Sequence, residues 1–307
     1  MTLIWGTNYS IVKSAFTEIN PQAFNAIRMM IASGVFLAII AAIRRLPLVA
    51  DAPAEGADAI ASILHTPAVI TRHEWLGLIG LGIVGHLFYQ YFFIGGLART
   101  TVANSSLMLA ATPVVITLVS AGLGQDRVGV LHWVGAILSM FGIYVVVGHG
   151  AAFDRRGLIG DLMTFGAVCC WAIYTIGARQ LMTRHSPVGV TGISMAMGTA
   201  LYVPAAWPQL RTVDFGSLSA ATWFAIVYSA LFALCVAYTI WYAAVRQIGS
   251  ARTAVYSNLV PLVAMVTAVV FLGEPLSPAK IGGAGAVLVG VALTRVGRRR
   301  VAIPAQE

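Results

Sequence analysis

Apolar residues run along this chain in long unbroken blocks. Residues 75–97, 100–124 and 215–245 hold no Asp, Glu, Lys or Arg, and the last block is long enough to include a loop. About 20 apolar residues cross the roughly 30 Å of a bilayer's hydrocarbon core, so each block predicts at least one spanning helix. Reading the blocks against their breaks predicts ten spans, at 2–19, 21–43, 74–97, 102–122, 130–149, 157–181, 187–208, 220–245, 251–272 and 278–296. No stretch alternates apolar and polar residues as a barrel strand would. The expected class is therefore an all-α membrane protein. Its one long connection, 44–73, is rich in Ala, Pro and Asp and is expected to be a mobile loop.

Composition agrees with that pattern. Of 307 residues 59% are hydrophobic and only 10% charged, against about a quarter charged in soluble domains, which excludes a soluble globular enzyme. The net charge of +8 lies between apolar blocks instead of on a basic face, so nucleic acid is not an expected partner. Met1 leads directly into Trp5-Gly6-Thr7-Asn8 with no positive segment before it, so no signal peptide is expected. With the N-terminus inside, the inner connections and tail hold Arg44, Arg45, Arg72, Arg127, Arg184, Arg246, Arg252, Arg295, Arg298, Arg299 and Arg300. The outer set is only Arg99, Arg155, Arg156, Arg211 and Lys280. This bias predicts that both termini are cytoplasmic.

The sequence also repeats itself. A shift of 166 residues aligns Trp5 with Trp171, Lys13 with Arg179 and Pro21 with Pro187. After the long loop the shift becomes 148 and aligns Trp75 with Trp223, Ala103 with Ala251, Pro113 with Pro261, Asp126 with Glu274, Gly135 with Gly283 and Gly142 with Gly290. Five spans per half is an odd number, so the second half is expected to enter the membrane from the opposite side. The expected organisation is a first five-helix repeat over 1–150, with its cytoplasmic loop 44–73, then an inverted repeat over 151–296 and a basic cytoplasmic tail over 297–307. The alignment also implies that the first span lacks residues present before Trp171. Inverted repeats can exchange conformations about a midplane site, which favours alternating access.

With Trp5-Gly6-Thr7-Asn8-Tyr9, the 103–113 stretch, its counterpart at 251–261 and Gly273-Glu274-Pro275, the chain resembles the drug/metabolite transporter superfamily in its ten-helix EamA-type branch. The resemblance covers nearly the whole chain. It implies a multi-pass protein of the bacterial inner membrane, exporting small metabolites through a cavity between the halves.

Candidate residues follow from polar and aromatic groups at helical spacing. His86, Tyr89 and Gln90 share one face of the third span. His86 could carry a proton or bind a carboxylate, or be a neutral ring bonded to a neighbouring helix. Trp5, Asn8 and Tyr9 form a similar face on the first span, matched by Trp171, Tyr174 and Thr175 on the sixth. In the eighth, Tyr238, Trp241 and Tyr242 offer flat walls suited to an aromatic or thioether side chain, or an interfacial anchor. Asn104, Ser105 and Ser106 precede Pro113, and Tyr256, Ser257 and Asn258 precede Pro261. Prolines at corresponding positions point to a site or gate, or simply to bends needed for packing. Lys13 and Arg28 could each attract a substrate carboxylate or snorkel to the surface.

All eleven carboxylates fall near span ends or in loops, so proton coupling has only His86 to use, or transport is facilitated. The run Gly80-Leu81-Gly82-Ile83-Val84-Gly85 lies inside a span and is rejected as a dinucleotide motif. Gly282, Ala286 and Gly290 are expected to pack within the protomer, and a monomer is expected. Cys169, Cys170 and Cys235 sit in apolar segments, which argues against disulfides and zinc. No metal or cofactor is expected, and neither HExxH nor GxSxG is present to suggest an enzyme.

The resulting expectation is an alternating-access exporter of small amphipathic metabolites, above all aromatic and other bulky apolar amino acids. The head group would be held from spans one, three, four and nine, and the side chain by aromatics of spans three, six and eight. The alternatives are a broad-specificity drug or metabolite carrier and a membrane-embedded enzyme or scaffold.

Overall fold

The computed structural model describes residues 1–45, 62–65, 68–109, 111–112, 114–116, 119, 130–148, 155–248, 253, 257 and 259–296. Among them the regular structure is helical, without strands. In chain order the helices are α1 (Thr2–Ala15), α2 (Pro21–Arg45), α3 (Arg72–Leu97), α4 (Val102–Leu109), α5 (Val130–Gly148) and α6 (Arg155–Leu181). They continue with α7 (Pro187–Ala205), the single turn α8 (Trp207–Leu210), α9, α10 (Leu259–Leu272) and α11 (Pro278–Val296). Helix α9 is continuous through Ala220–Tyr228, Ser229–Val236 and Ala237–Ile248.

Several helices begin where the sequence supplies an acceptor for their unpaired amide groups. Asn20 Oδ1 accepts from the Gln22 N–H at 3.0 Å, with Pro21 opening α2. Ser186 Oγ accepts from the Gly189 N–H at 3.1 Å, with Pro187 opening α7. Helix α3 starts in a capping box: Thr71 Oγ1 accepts from the Glu74 N–H, and Glu74 Oε2 accepts from the Thr71 N–H at 2.7 Å. Ser219 Oγ accepts from the Thr222 N–H at the start of α9.

Five of these helices are long and apolar enough to cross a membrane: Pro21–Arg45, Arg72–Leu97, Gly157–Leu181, Pro187–Ala205 and Ala220–Gln247. Leu37, Phe88, Leu162 and Phe232 stand exposed on them, as lipid-facing residues would. The first expected span ran to residue 19, but α1 ends at Ala15 and a turn carries the exposed Glu18. The expected spans 102–122 and 251–272 continue through positions outside the described residues. So do Pro113, Asp126, Tyr256 and Asn258, most of the 44–73 loop and the tail 297–307.

Glycine sets how closely the helices approach. A Cβ on Gly85 of α3 would lie 2.3 Å from the Tyr174 ring of α6, and one on Gly198 of α7 would lie 2.3 Å from the His86 Cβ. Helices α5 and α11 meet in the same way, with Gly142 against the Gly283 carbonyl (2.7 Å) and Gly290 against the Gly135 carbonyl (2.5 Å). This is the close backbone contact that small residues permit in membranes. Gly290 thus packs within the chain as expected, whereas Gly282 has no described atom within 4 Å of its would-be Cβ. The packed stripe is Gly283, Val287 and Gly290, because 3.6 residues per turn rotates Gly282 off the contact.

Some contacts join residues separated by the sequence shifts themselves. The Trp5 and Trp171 rings lie 5.9 Å apart, and Ser33 Oγ and Thr199 Oγ1 are 2.8 Å apart, both pairs at a separation of 166. Gln90 Nε2 donates to Tyr238 Oη at 3.4 Å, and Ser139 Oγ donates to the Val287 carbonyl at 3.3 Å, both at a separation of 148. Helices α3 and α9 each carry a widened π-helical turn, over Ile83–Phe88 and Ser229–Val236, which overlap when shifted by 148.

Candidate functional site

The bundle encloses a central cavity of about 80 Å³. Helix α1 contributes Trp5, Asn8 and Tyr9, α2 contributes Arg28, and α3 contributes Tyr89, Gln90 and Phe93. Trp171 comes from α6. Ala233, Leu234, Tyr238 and Trp241 come from α9. Ser106 and Leu109 of α4, together with Thr112, and Val260 and Pro261 of α10, together with Ser257, close the remaining wall. A concave, mostly apolar site with a few polar groups is the usual form of a small-molecule pocket.

Aromatic rings form one wall. Trp5 stands edge-on to Trp171 (5.9 Å) and Tyr238 (6.0 Å) and lies 5.5 Å from Trp241, centroid to centroid. Trp171 is 5.1 Å from Tyr89 and 5.3 Å from Tyr238. Edge-on and tilted packing at 4.5–7 Å is favourable, so the rings brace one another. The Trp5 indole N–H donates to the Ala233 carbonyl at 3.0 Å, inside the widened turn of α9. That bond locks the ring across the gap between α1 and α9.

Polar groups line the cavity beside the rings. The Arg28 guanidinium is buried; its Nε donates to Asn25 Oδ1 at 2.6 Å and its Nη2 to Gln90 Oε1 at 2.8 Å. Gln90 passes the chain on to Tyr238. Asn8 Oδ1 and Trp241 Nε1 are buried and have no hydrogen-bond partner among the described residues. The other cation flagged in the sequence, Lys13, is already engaged: its Nζ donates to the Thr100 carbonyl and lies 3.6 Å from Glu274 Oε1.

Of the candidates read from sequence, Trp5, Asn8, Tyr9, Tyr89, Gln90, Trp171, Tyr238, Trp241, Ser257 and Pro261 meet at this cavity. His86 is fully buried outside the lining, with Nε2 3.0 Å from Tyr174 Oη and 3.3 Å from Ser194 Oγ. Tyr174 and Tyr242 are buried behind Trp171, 5.4 Å apart. Asn104 faces Asp161 of α6, and Ser105 is buried away from the cavity. Asn258 and Pro113 lie outside the described residues.

Sequence reasoning left out Phe93, Leu109 and Thr112, and named Ser106 and Arg28 without carrying them into the site. Phe93 sits four residues after Tyr89, and Leu109 three after Ser106, so helical phase was the available signal. On α4 the phase selects Ser106 over its neighbours Asn104 and Ser105.

Similarity to known proteins fits this architecture. The model of the EamA-like transporter family matches residues 1–148 and 158–296. An uncharacterized transporter of Archaeoglobus fulgidus is 27% identical, covering 95% of this chain and 93% of its own length. The uncharacterized transporter YyaM of Bacillus subtilis is 26% identical over 75% of this chain and 76% of its own. A probable terminal-alkyne amino-acid exporter of Streptantibioticus cattleyicolor is 26% identical over 75% of this chain and 78% of its own. A solved crystal structure shares the fold, with a TM-score of 0.66 at 20% identity, covering 98% of this chain and 96% of that one. The chain belongs to the EamA-like transporter family and is a multi-pass membrane transporter of small molecules.

Proposed function

We propose that the chain is an alternating-access exporter of small amphipathic metabolites, above all aromatic and other bulky apolar amino acids. The observation that carries this reading is one cavity lined both by the ring cluster of Trp5, Trp171, Tyr238 and Trp241 and by the Arg28–Gln90 chain that joins it at Tyr238. Flat apolar rings suit an aromatic or thioether side chain, and the polar wall suits a charged head.

Ten transmembrane helices in two inverted five-helix repeats, 1–150 and 151–296, are part of the proposal. Its support is the set of contacts at separations of 166 and 148, since residues on a two-fold axis touch their own counterparts. The two stretches matched by the family model meet near the same boundary. An amino-acid exporter among the relatives favours the substrate class, as does the resemblance to the bacterial aromatic amino-acid exporter YddG. The arginine distribution supports cytoplasmic termini in a bacterial inner membrane, and the packing of α5 on α11 through Gly290 supports a monomer. A broad-specificity drug or metabolite carrier is the second reading, favoured by the largely apolar lining, which would admit other flat amphiphiles.

Uptake of labelled Phe, Trp, Met and Leu into proteoliposomes, with and without a proton gradient, tests the reading. Saturable uptake of Phe and Trp that falls on the order of tenfold in Trp171→Ala is the expected result. Uptake of none of the four, alongside uptake of an unrelated amphiphile, would move the assignment to the second reading.

A further inference from the structure

The described lining of the cavity carries charge of one sign only. Its lining holds one cation, Arg28, and no Asp or Glu among the described residues. The five described carboxylates are all engaged elsewhere: Glu18 on Ser219 and Thr222, Glu74 on Thr71 and Arg184, Asp161 facing Thr100 and Asn104, Asp214 on Gly216, and Glu274 on Val102 and Lys13.

Arginine keeps its charge in proteins, and burying a charge is costly unless it is paired. Asn25 and Gln90 are neutral acceptors, so they orient the guanidinium without neutralising it. Lys13 differs in this respect, because Glu274 already balances it. The shift of 166 aligns Arg28 with Ser194, which bonds to Tyr174 and the His86 ring. The positive charge is therefore absent from the corresponding position of the other half, and it polarises the cavity.

We infer that Arg28 is the docking point for a substrate carboxylate, and that the cavity recognises bulky apolar monocarboxylates whether or not they carry an ammonium group. This rests on the reading of the cavity as the transport site and narrows it. The guanidinium group matches carboxylate geometry and sits within a polar chain, Asn25–Arg28–Gln90–Tyr238, that holds it in place. Among the described lining residues an ammonium group meets only neutral acceptors, such as the Asn8 Oδ1 atom, which lacks a partner among the described residues, and aromatic faces such as those of Trp5 and Trp171. It is tolerated, therefore, and not selected. The ligand class is carboxylates with a bulky side chain, including 2-oxo acids as well as amino acids.

The test uses the full-length protein in detergent and in proteoliposomes, with matched acid and amide pairs. Phenylalanine, phenylpyruvate and phenylalaninamide probe the aromatic series; leucine, 4-methyl-2-oxopentanoate and leucinamide probe the aliphatic one. Ligand-induced rise in melting temperature and competition against whichever labelled acid is taken up are the two readouts. Each acid is expected to bind at least about tenfold more tightly than its amide, the order of one charge-assisted hydrogen bond. Phenylpyruvate should fall within a few-fold of phenylalanine. Arg28→Gln should erase the acid preference and Arg28→Lys should retain part of it; the unliganded melting temperature of each variant reports its folding. Amides that match their acids in both series, amides that bind more tightly, or no binding by any acid would overturn the inference. Acid preference confined to the aliphatic series would sink the aromatic reading and leave the Arg28 assignment standing.

Discussion

Lys13 Nζ lies 3.6 Å from Glu274 Oε1, and the same carboxylate accepts hydrogen bonds from the backbone N–H groups of Val102 (2.8 Å) and Ala103 (3.3 Å). One side chain from the segment ahead of α11 thus ties the end of α1 to the first turn of α4, where a negative charge also suits the helix dipole. Gly273, just before it, turns the backbone with φ +64°, a conformation that favours glycine.

Removing the carboxylate leaves those amide groups without their acceptor and Lys13 without its counter-charge. Glu274→Ala is expected to destabilise the protein by about 1–3 kcal/mol, read as a lower melting temperature in detergent. In a cycle with Lys13→Met the double variant should cost less than the two singles added, by about 0.5–3 kcal/mol. Strictly additive losses would show that the pair is not coupled.

His86 was the one ionisable side chain that sequence placed at mid-span for proton coupling. Its burial outside the cavity, bonded to Tyr174 and Ser194, assigns it to holding α3 against α6 and α7. His86→Ala should lower the melting temperature, by about 1–3 kcal/mol for the buried hydrogen bonds lost and the cavity left behind. The ratio of uptake with and without a proton gradient should stay as in the wild type. Loss of gradient dependence at unchanged stability would return His86 to a coupling role.

Gly85 admits the Tyr174 ring to the backbone of α3. Gly85→Ala places a methyl group 2.3 Å from a ring that is itself packed between His86 and Tyr242, and cannot be absorbed by a flexible chain end. A loss of about 1–3 kcal/mol is expected. Gly80→Ala, with no described atom within 4 Å of the added carbon, is the control that should leave the melting temperature near wild type.

Glu18 gives a pH dependence with a definite sign. Its carboxylate accepts from the Ser219 N–H at 2.9 Å and from the hydroxyls of Ser219 and Thr222 at 2.8 Å, and these bonds hold its pKa below the ordinary glutamate value. A depressed folded-state pKa stabilises the protein above the unfolded value, about 4.3, and that contribution is lost as pH falls through the folded value. The melting temperature of Glu18→Gln should therefore approach that of the wild type on acidification below about pH 4.3. A difference between the two that stays constant across that range would remove Glu18 as the titrating group.

Some of the architecture was legible because it depends on local properties of the chain. Uncharged apolar blocks forecast α3 and α9, and Thr71, Ser186 and Ser219 mark helix starts through their own backbone bonds. The shifts of 166 and 148 were visible as a spacing of identical residues. The aromatic positions Trp5, Tyr89, Trp171, Tyr238 and Trp241 were legible as a helical face, although that face alone did not distinguish a cavity wall from an interfacial belt.

Other outcomes needed the neighbours across the bundle. His86 and Gln90 share one face of α3, yet Gln90 reaches the cavity and His86 is covered by Tyr174 and Ser194. Spacing along one helix cannot report which helix packs against which part of that face. Lys13 and Arg28 were equivalent in sequence, as two cations inside apolar runs. Only the fold brings Glu274, more than 200 residues away in sequence, to Lys13 and leaves Arg28 with neutral partners. The sequence by itself determined a polytopic helical chain with a repeated pattern, because hydrophobicity and capping act over a few turns. Tertiary structure decided which charged groups neutralise one another and which keep only neutral partners, because that pairing is a property of the space between helices.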